Sequence, residues 1–429
     1  MGQFRLKGGK SYRGVIKVPG DKSISHRALI LGGLGDGVTK VVNLCPGEDN
    51  ARTFQALRLM GVEFEEAEPG NWSISGQGLY GLKEPPDVLD AGNSGTTMRL
   101  LCGLLAGQPF FSVLTGDGSL RRRPMDRVVS PLRQMGACIN GRQGGKYAPL
   151  AITGAELKPI NYQLPVASAQ VKSALLLAGL YANGETRIRE PVKCRDHTER
   201  LLSFLGADLR QEGDVLIVRG GCQWKGTTIR VPGDISSAAY FLVAGLIAPD
   251  SEVTVEDVGL NPTRAGIIRA LAAMGGDINV KEKSGRGPEP VGDITVKSSL
   301  LKGIKLSGAD IPGILDEIPI LAVAAASAQG VTEIRDAAEL RVKESDRIGG
   351  LVKNLSRFGV QVEELADGMR ITGGKRMQGC LCDSYGDHRM AMALVILGSL
   401  VPGETVIQGP ECVTVSFPEF FEIWQKVVY

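Results

Sequence analysis

The chain has 429 residues, 43% of them hydrophobic and 22% charged, with a formal net charge of +2. Such a chain can bury a large core in two or three domains, which excludes disorder as its main state, and its near-neutral charge gives no global nucleic-acid or membrane signal. The longest apolar runs, such as Ile318 to Ala326, fall well short of the ~20 residues that span a bilayer. Met1 to Lys10 is polar and has no signal-peptide core. Eight cysteines are scattered without zinc or disulfide spacing, and the only histidines are His26, His197 and His388. The expectation is a cytoplasmic protein with reduced thiols and no metal site. Glycine is the outlier: 57 residues, about 13% against the usual ~7%.

In chain order, FRLK from Phe4 and YRGVIKV from Tyr12 read as strands. DKSISHRALILGGL from Asp21 reads as a small-residue apolar helix, followed by a strand, VTKVVNL. ALRLMGVEF from Ala56 then reads as an amphipathic helix, a glycine and a strand. These two patterns alternate down the chain. The first recurs at NSGTTMRLLCGLLAG from Asn93, SAQVKSALLLAGL from Ser168, DISSAAYFLVAGLI from Asp234, DEIPILAVAAASA from Asp316 and DHRMAMALVILGSL from Asp387. The second recurs at PLRQMGACI from Pro131, LLSFLGADL from Leu201, ALAAMGGDI from Ala270 and NLSRFGVQV from Asn354. Gly61, Gly136, Gly206, Gly275 and Gly359 follow these helices, where a left-handed C-terminal cap is expected. Six copies of about 71 residues account for the chain. The last copy ends at its second helix, FFEIWQKVVY from Phe420. The simplest closure lets the N-terminal strands complete it. The chain then crosses between domains near Pro19 and Gly20 and returns near Val231 to Gly233. One domain takes residues 1–19 and 233–429, and the other takes 20–232.

The starts of the first-type helices carry the chemistry. PGDKSISHR places Lys22, Ser23 and Arg27 where a helix begins, and a helix N-terminus disfavours cations unless an anion sits between them. NSGT from Asn93 offers backbone N–H groups to an anion in the same way. Further clusters are Arg121 to Arg123, Arg195 with Arg200, Arg341 with Lys343 and Arg347, and His388 with Arg389. Arginines suit small phosphates and carboxylates, although any one cluster could be ordinary solvated charge. Gly9-Lys10-Ser11 is not a P-loop, because the first glycine of that motif would fall at Phe4.

These segments, with RRRPM, RDHTE, VPGDISSAAYF, LRVKESDR and GDHRMAM, stand in one order along the chain. In that order the chain resembles the 5-enolpyruvylshikimate-3-phosphate synthase family over essentially its whole length, in the bacterial type. The resemblance implies a two-domain inside-out α/β barrel of six βαβαββ repeats, three per domain, that closes on ligand. It implies transfer of the enolpyruvyl group of phosphoenolpyruvate to the 5-hydroxyl of shikimate 3-phosphate, through a tetrahedral intermediate and with loss of phosphate. It also implies a monomer with no cofactor, metal, nucleic-acid or membrane partner.

The same resemblance assigns roles. Lys22, Asn93, Gly95, Arg123, Gln170, Arg347 and Arg389 fall at the phosphoenolpyruvate site. Lys22, Ser23, Arg27, Ser168, Ala169, Gln170, Arg195, Asp316 and Lys343 fall at the shikimate 3-phosphate site. Asp316 resembles the base that takes the 5-hydroxyl proton, unless it is only a helix N-cap. Glu344 resembles the acid that protonates the methylene carbon, a part Lys22 could share. Three positions depart from one class of the family: Val415 stands where that class has a lysine, Ala169 where it has a serine, and Glu339 where it has an asparagine. Gly95 matches the small residue of glyphosate-binding members. A UDP-amino-sugar enolpyruvyl transferase is the neighbouring alternative, but the LRRRPM loop from Leu120 lacks the reactive cysteine expected of it. An RNA-terminus phosphate cyclase would need a nucleotidylated histidine in a setting that none of the three has. A repeat scaffold without activity leaves the acid, base and cations unexplained.

Overall fold

The computed structural model describes residues 2–284 and 287–429. Its strands make six small sheets, five of four strands and one of three, in a mixed α/β fold. The chain divides into two compact units. One comprises Met1–Pro19, Pro232–Gly285 and Pro290–Tyr429, and the other comprises Gly20–Val231 with Arg286–Glu289. Each has its own hydrophobic core.

The repeat is visible in the strand pairing. Leu89–Asp90 lies parallel to Phe111–Thr115, and the helix Gly95–Ala106 makes the crossover that parallel neighbours require. Asn161–Gln163 with Glu185–Arg189, Lys305–Leu306 with Gly330–Ile334, and Leu381–Asp383 with Glu404–Gln408 repeat the arrangement. An antiparallel hairpin extends most of these sheets, as Leu209–Glu212 and Val215–Arg219 do.

The N-terminal strands do not both join the last sheet, as the simplest closure has it. Gln3–Lys7 does, antiparallel to Glu404–Gln408. Arg13–Lys17 instead runs parallel to Glu252–Gly259, in the sheet after the helix Ile235–Ile247. Thr228–Arg230, which precedes that helix in sequence, pairs in its own unit with Asp36–Val42. The chain thus exchanges leading strands where it passes between units, and each unit keeps three sheets. Only the last sheet lacked a hairpin, and one strand suffices to cover its edge.

The six crossover helices are mainly apolar and bury nearly all of their residues, as expected of helices inside a core. Every residue of His388–Leu400 except Leu400 is buried, as is all of Ile235–Ile247 except Ile247. Small residues let them approach closely: a Cβ on Gly103 would lie 2.1 Å from the carbonyl oxygen of Ala174 on the neighbouring helix Ala169–Gly179. The second helices, such as Glu48–Leu59 and Arg347–Arg357, bury one face only. The five glycines after them all have φ between 83° and 98°, a region in which Cβ-bearing residues are strained. Among the described residues no helix is long and apolar enough to cross a membrane.

Candidate active site

In the unit built on Gly20–Val231, three crossover helices present their N-termini together, tied in a ring of hydrogen bonds. The helix Lys22–Gly33 is capped by Asp21, whose side chain accepts from Ile24 N. Lys22 Nζ donates to Asp49 Oδ2 at 2.9 Å, and the Asp49 carbonyl accepts from Thr97 Oγ1 on the second helix at 3.2 Å. That helix reaches the third through Gln170, whose Oε1 accepts from Arg99 Nη1 at 2.6 Å and whose Nε2 donates to Thr96 Oγ1 at 2.9 Å. The third returns to the first through Arg27, which donates to Ser173 Oγ at 2.7 Å and to Thr198 Oγ1 at 2.6 Å. Arg27 is only 4% exposed.

Each helix start is shaped by its sequence. Ser94 and Ser168 cap the second and third helices, accepting from Thr97 N and Val171 N. Ala169 is therefore the first residue of its helix, and Ser168 has its hydroxyl at the cap. Gly95 opens the second helix, where a Cβ would lie 2.8 Å from Arg99 Nη1 and 3.5 Å from Arg123 Nη1. Arg123 is fixed by Asn93, donating to its Oδ1 at 2.5 Å and its carbonyl at 3.3 Å. Its neighbours Arg121 and Arg122 are exposed and belong to the solvated face. Ser23 lies half-buried in the first turn of its helix, and Arg195 half-buried just before the helix His197–Phe204. The result is several cations beside three sets of helix N–H donors, an arrangement suited to anions.

The other unit gathers a compact ionic cluster. Asp316 does not cap the helix Ile318–Ser327; Glu317 holds that position, without a side-chain cap bond. The Asp316 carboxylate instead faces Arg347 Nη1 at 3.4 Å, Lys343 Nζ at 3.8 Å and Arg389 Nη2 at 3.8 Å. Three basic side chains thus converge on this one carboxylate. Arg347 is 1% exposed. Its Nε donates to Asp387 Oδ2 at 2.7 Å and its Nη2 to Glu344 Oε2 at 2.6 Å. Burial pulls the Arg347 pKa down, but Asp387, Glu344 and Asp316 outweigh it and raise the pKa above its ordinary value. Burial likewise opposes ionisation of Asp387, and Arg347 overcomes this to hold its pKa low. Asp387 also caps the helix His388–Leu400, accepting from Arg389 N at 2.9 Å. Arg389 Nη1 donates to the Asp316 carbonyl at 3.1 Å. Burial lowers the Lys343 pKa despite the nearby Asp316.

Several residues fall outside these clusters. Arg341 turns away to Asp346 and Glu364, and Arg200 pairs with Asp196. His26 Nδ1 bonds Thr53 Oγ1 at 2.7 Å in the core, and His197 Nδ1 bonds Glu289 at 2.7 Å. Sequence reasoning missed Asp49, Arg99, Lys172 and the buried pair Arg264 and Glu317, whose side chains meet at 2.7 Å. Arg99 and Lys172 were detectable as charges on helices otherwise apolar all round.

This fold is shared with an enolpyruvyl transferase, NikO from Streptomyces tendae, which superposes with a TM-score of 0.78 over 99% of this chain and 98% of that one, at 16% identity. That likeness is one of fold alone. Sequence goes further: the family model for EPSP synthase (3-phosphoshikimate 1-carboxyvinyltransferase) matches residues 6–424, and the chain belongs to that family. A 3-phosphoshikimate 1-carboxyvinyltransferase of Desulforamulus reducens is 52% identical over 98% of both chains. That of Geotalea daltonii is 54% identical over 98% of both. The EPSP synthase of Acinetobacter baumannii has a TM-score of 0.89 at 46% identity, covering 99% of this chain and 98% of that one.

Proposed function

We propose that the chain transfers the enolpyruvyl group of phosphoenolpyruvate to the 5-hydroxyl of shikimate 3-phosphate and releases phosphate. The observation that carries this reading is the Asp316 cluster: a carboxylate held by three cations, with a second carboxylate, Glu344, on the same Arg347 guanidinium. Asp316 takes the 5-hydroxyl proton while the methylene carbon of phosphoenolpyruvate is protonated by Glu344, or by Lys22. The 5-oxygen then bonds to C2, giving a tetrahedral ketal. Loss of a methyl proton and cleavage of the C2–O bond to phosphate give the enol ether. Lys343 and Arg347 steady the charge on Asp316. Buried cations such as Arg389 stabilise the departing phosphate more than water-exposed ones would.

We assign shikimate 3-phosphate mainly to residues 20–232, through Lys22, Ser23, Arg27, Ser168, Ala169, Gln170 and Arg195. Asp316 and Lys343 are assigned to the same substrate. Phosphoenolpyruvate is assigned to Lys22, Asn93, Gly95, Arg123, Gln170, Arg347 and Arg389. The buried crossover helices and sheet-borne surfaces of each unit support the inside-out form of the barrel. Eight free thiols support a cytoplasmic enzyme, and the enzyme is read as a monomer.

The test is phosphate release from phosphoenolpyruvate. It should require shikimate 3-phosphate and fall about 10²–10⁴-fold in Asp316→Asn, the usual worth of a general base, with KM values little changed. Release driven by a UDP-amino sugar instead, or an Asp316→Asn enzyme that turns over normally, would refute the reading.

A further inference from the structure

Lys172 is the most deeply buried lysine, with a relative exposure of 0%, and the chemistry above gives it no part. It sits one turn into the helix Ala169–Gly179, just after Ala169 and Gln170. Its ammonium has three hydrogens and three acceptors: Glu190 Oε1 at 2.7 Å, Glu199 Oε1 at 2.6 Å and the Cys194 carbonyl at 3.4 Å. Burial pulls its pKa down, but Glu199 and Glu190 outweigh this, so the lysine stays charged. Glu190 Oε1 also accepts from Cys194 N at 2.8 Å, which closes residues 190–194 into a turn. Arg195 follows immediately. On its other side, the first turn of the helix His197–Phe204 carries Glu199, and Thr198 bonds Ser173 Oγ at 2.7 Å.

We propose that Lys172 is a positioning residue for shikimate 3-phosphate, acting through Arg195. It grips the chain before Arg195, at Glu190 and Cys194, and after it, at Glu199. One buried ammonium thereby fixes both ends of a short segment relative to the helix that presents Ser168 and Gln170. A buried charge with all its donors used holds such a geometry firmly, because releasing any partner leaves an unsatisfied group. The proposal rests on the reading of Arg195 as a ligand of shikimate 3-phosphate.

Steady-state kinetics on the full chain test it with Lys172→Met, Arg195→Gln and the double variant. Lys172→Met should raise the KM for shikimate 3-phosphate about tenfold, with kcat and the KM for phosphoenolpyruvate changed less than about threefold. Because it acts through Arg195, it should add little in the Arg195→Gln background. If Lys172→Met does not fold, Glu190→Gln carries the same test with a smaller, equally selective rise. An unchanged KM for shikimate 3-phosphate, an equal rise for both substrates, or effects that multiply in the double variant would each overturn the role of Lys172. Arg195→Gln with an unchanged KM would remove the reading of Arg195 and the proposal with it.

Discussion

At Gly95 a helix start, two guanidinium groups and the missing Cβ meet. The hydrogen side chain leaves room beside Arg99 and Arg123 that a methyl would take, 2.8 Å and 3.5 Å from their nearest nitrogens. Arg99 is held by Gln170, so it can yield only by disturbing the ring that joins the helices. Glyphosate should compete with phosphoenolpyruvate for this space. Gly95→Ala should weaken its inhibition at least tenfold, about 1.4 kcal/mol, while the enzyme still turns over; an unchanged inhibition constant would place the inhibitor elsewhere. Gly95, Asp316 and Arg347 were legible as residues because short motifs carry them. Their partners were not. Nothing near Asp316 in sequence announces Arg389, which reaches it from another helix, or shows that Glu317 rather than Asp316 heads the following helix.

The crossover helices illustrate what an element inherits from its own composition. Leucine, alanine and glycine on every face leave a helix no polar side, so it is stable only when surrounded. Gly103 shows how tightly: Ala174 of the neighbouring helix occupies the place its Cβ would fill. Gly103→Ala must push two helix backbones apart and should cost about 3 kcal/mol, read as a lower urea midpoint. The same substitution should also raise the KM for shikimate 3-phosphate, because the displaced helix carries Ser168 and Gln170. A variant as stable as the parent would show that this packing is slack. The left-handed glycines after the second helices were equally legible, since a glycine directly behind an amphipathic run has a local backbone cause.

Over the whole molecule, the N-terminal strands anchor one unit. Tyr12 OH bonds Ser399 Oγ at 2.6 Å and accepts from Trp424 Nε1 at 2.8 Å, and burial raises its pKa to about 12. Gln3–Lys7 covers one edge of Glu404–Gln408. Deleting residues 2–8 should therefore expose that edge. In hydrogen-exchange mass spectrometry, protection should be lost at 404–408, with 36–42 of the other unit unchanged. Equal loss in both segments would mean that the two cores unfold as one.

The sequence by itself determined the six alternating repeats, the helix and turn types and the charges at the helix starts, because periodicity, capping and helix-start chemistry act within a few residues of the chain. Tertiary structure alone decided three things: which strand leads each sheet, that Arg13–Lys17 and Thr228–Arg230 pair away from the helices they precede, and which buried charges meet. Strand exchange and ion pairing join residues far apart in sequence. Whether they form depends on a balance of attraction, desolvation cost and geometry that exists only once the chain has folded.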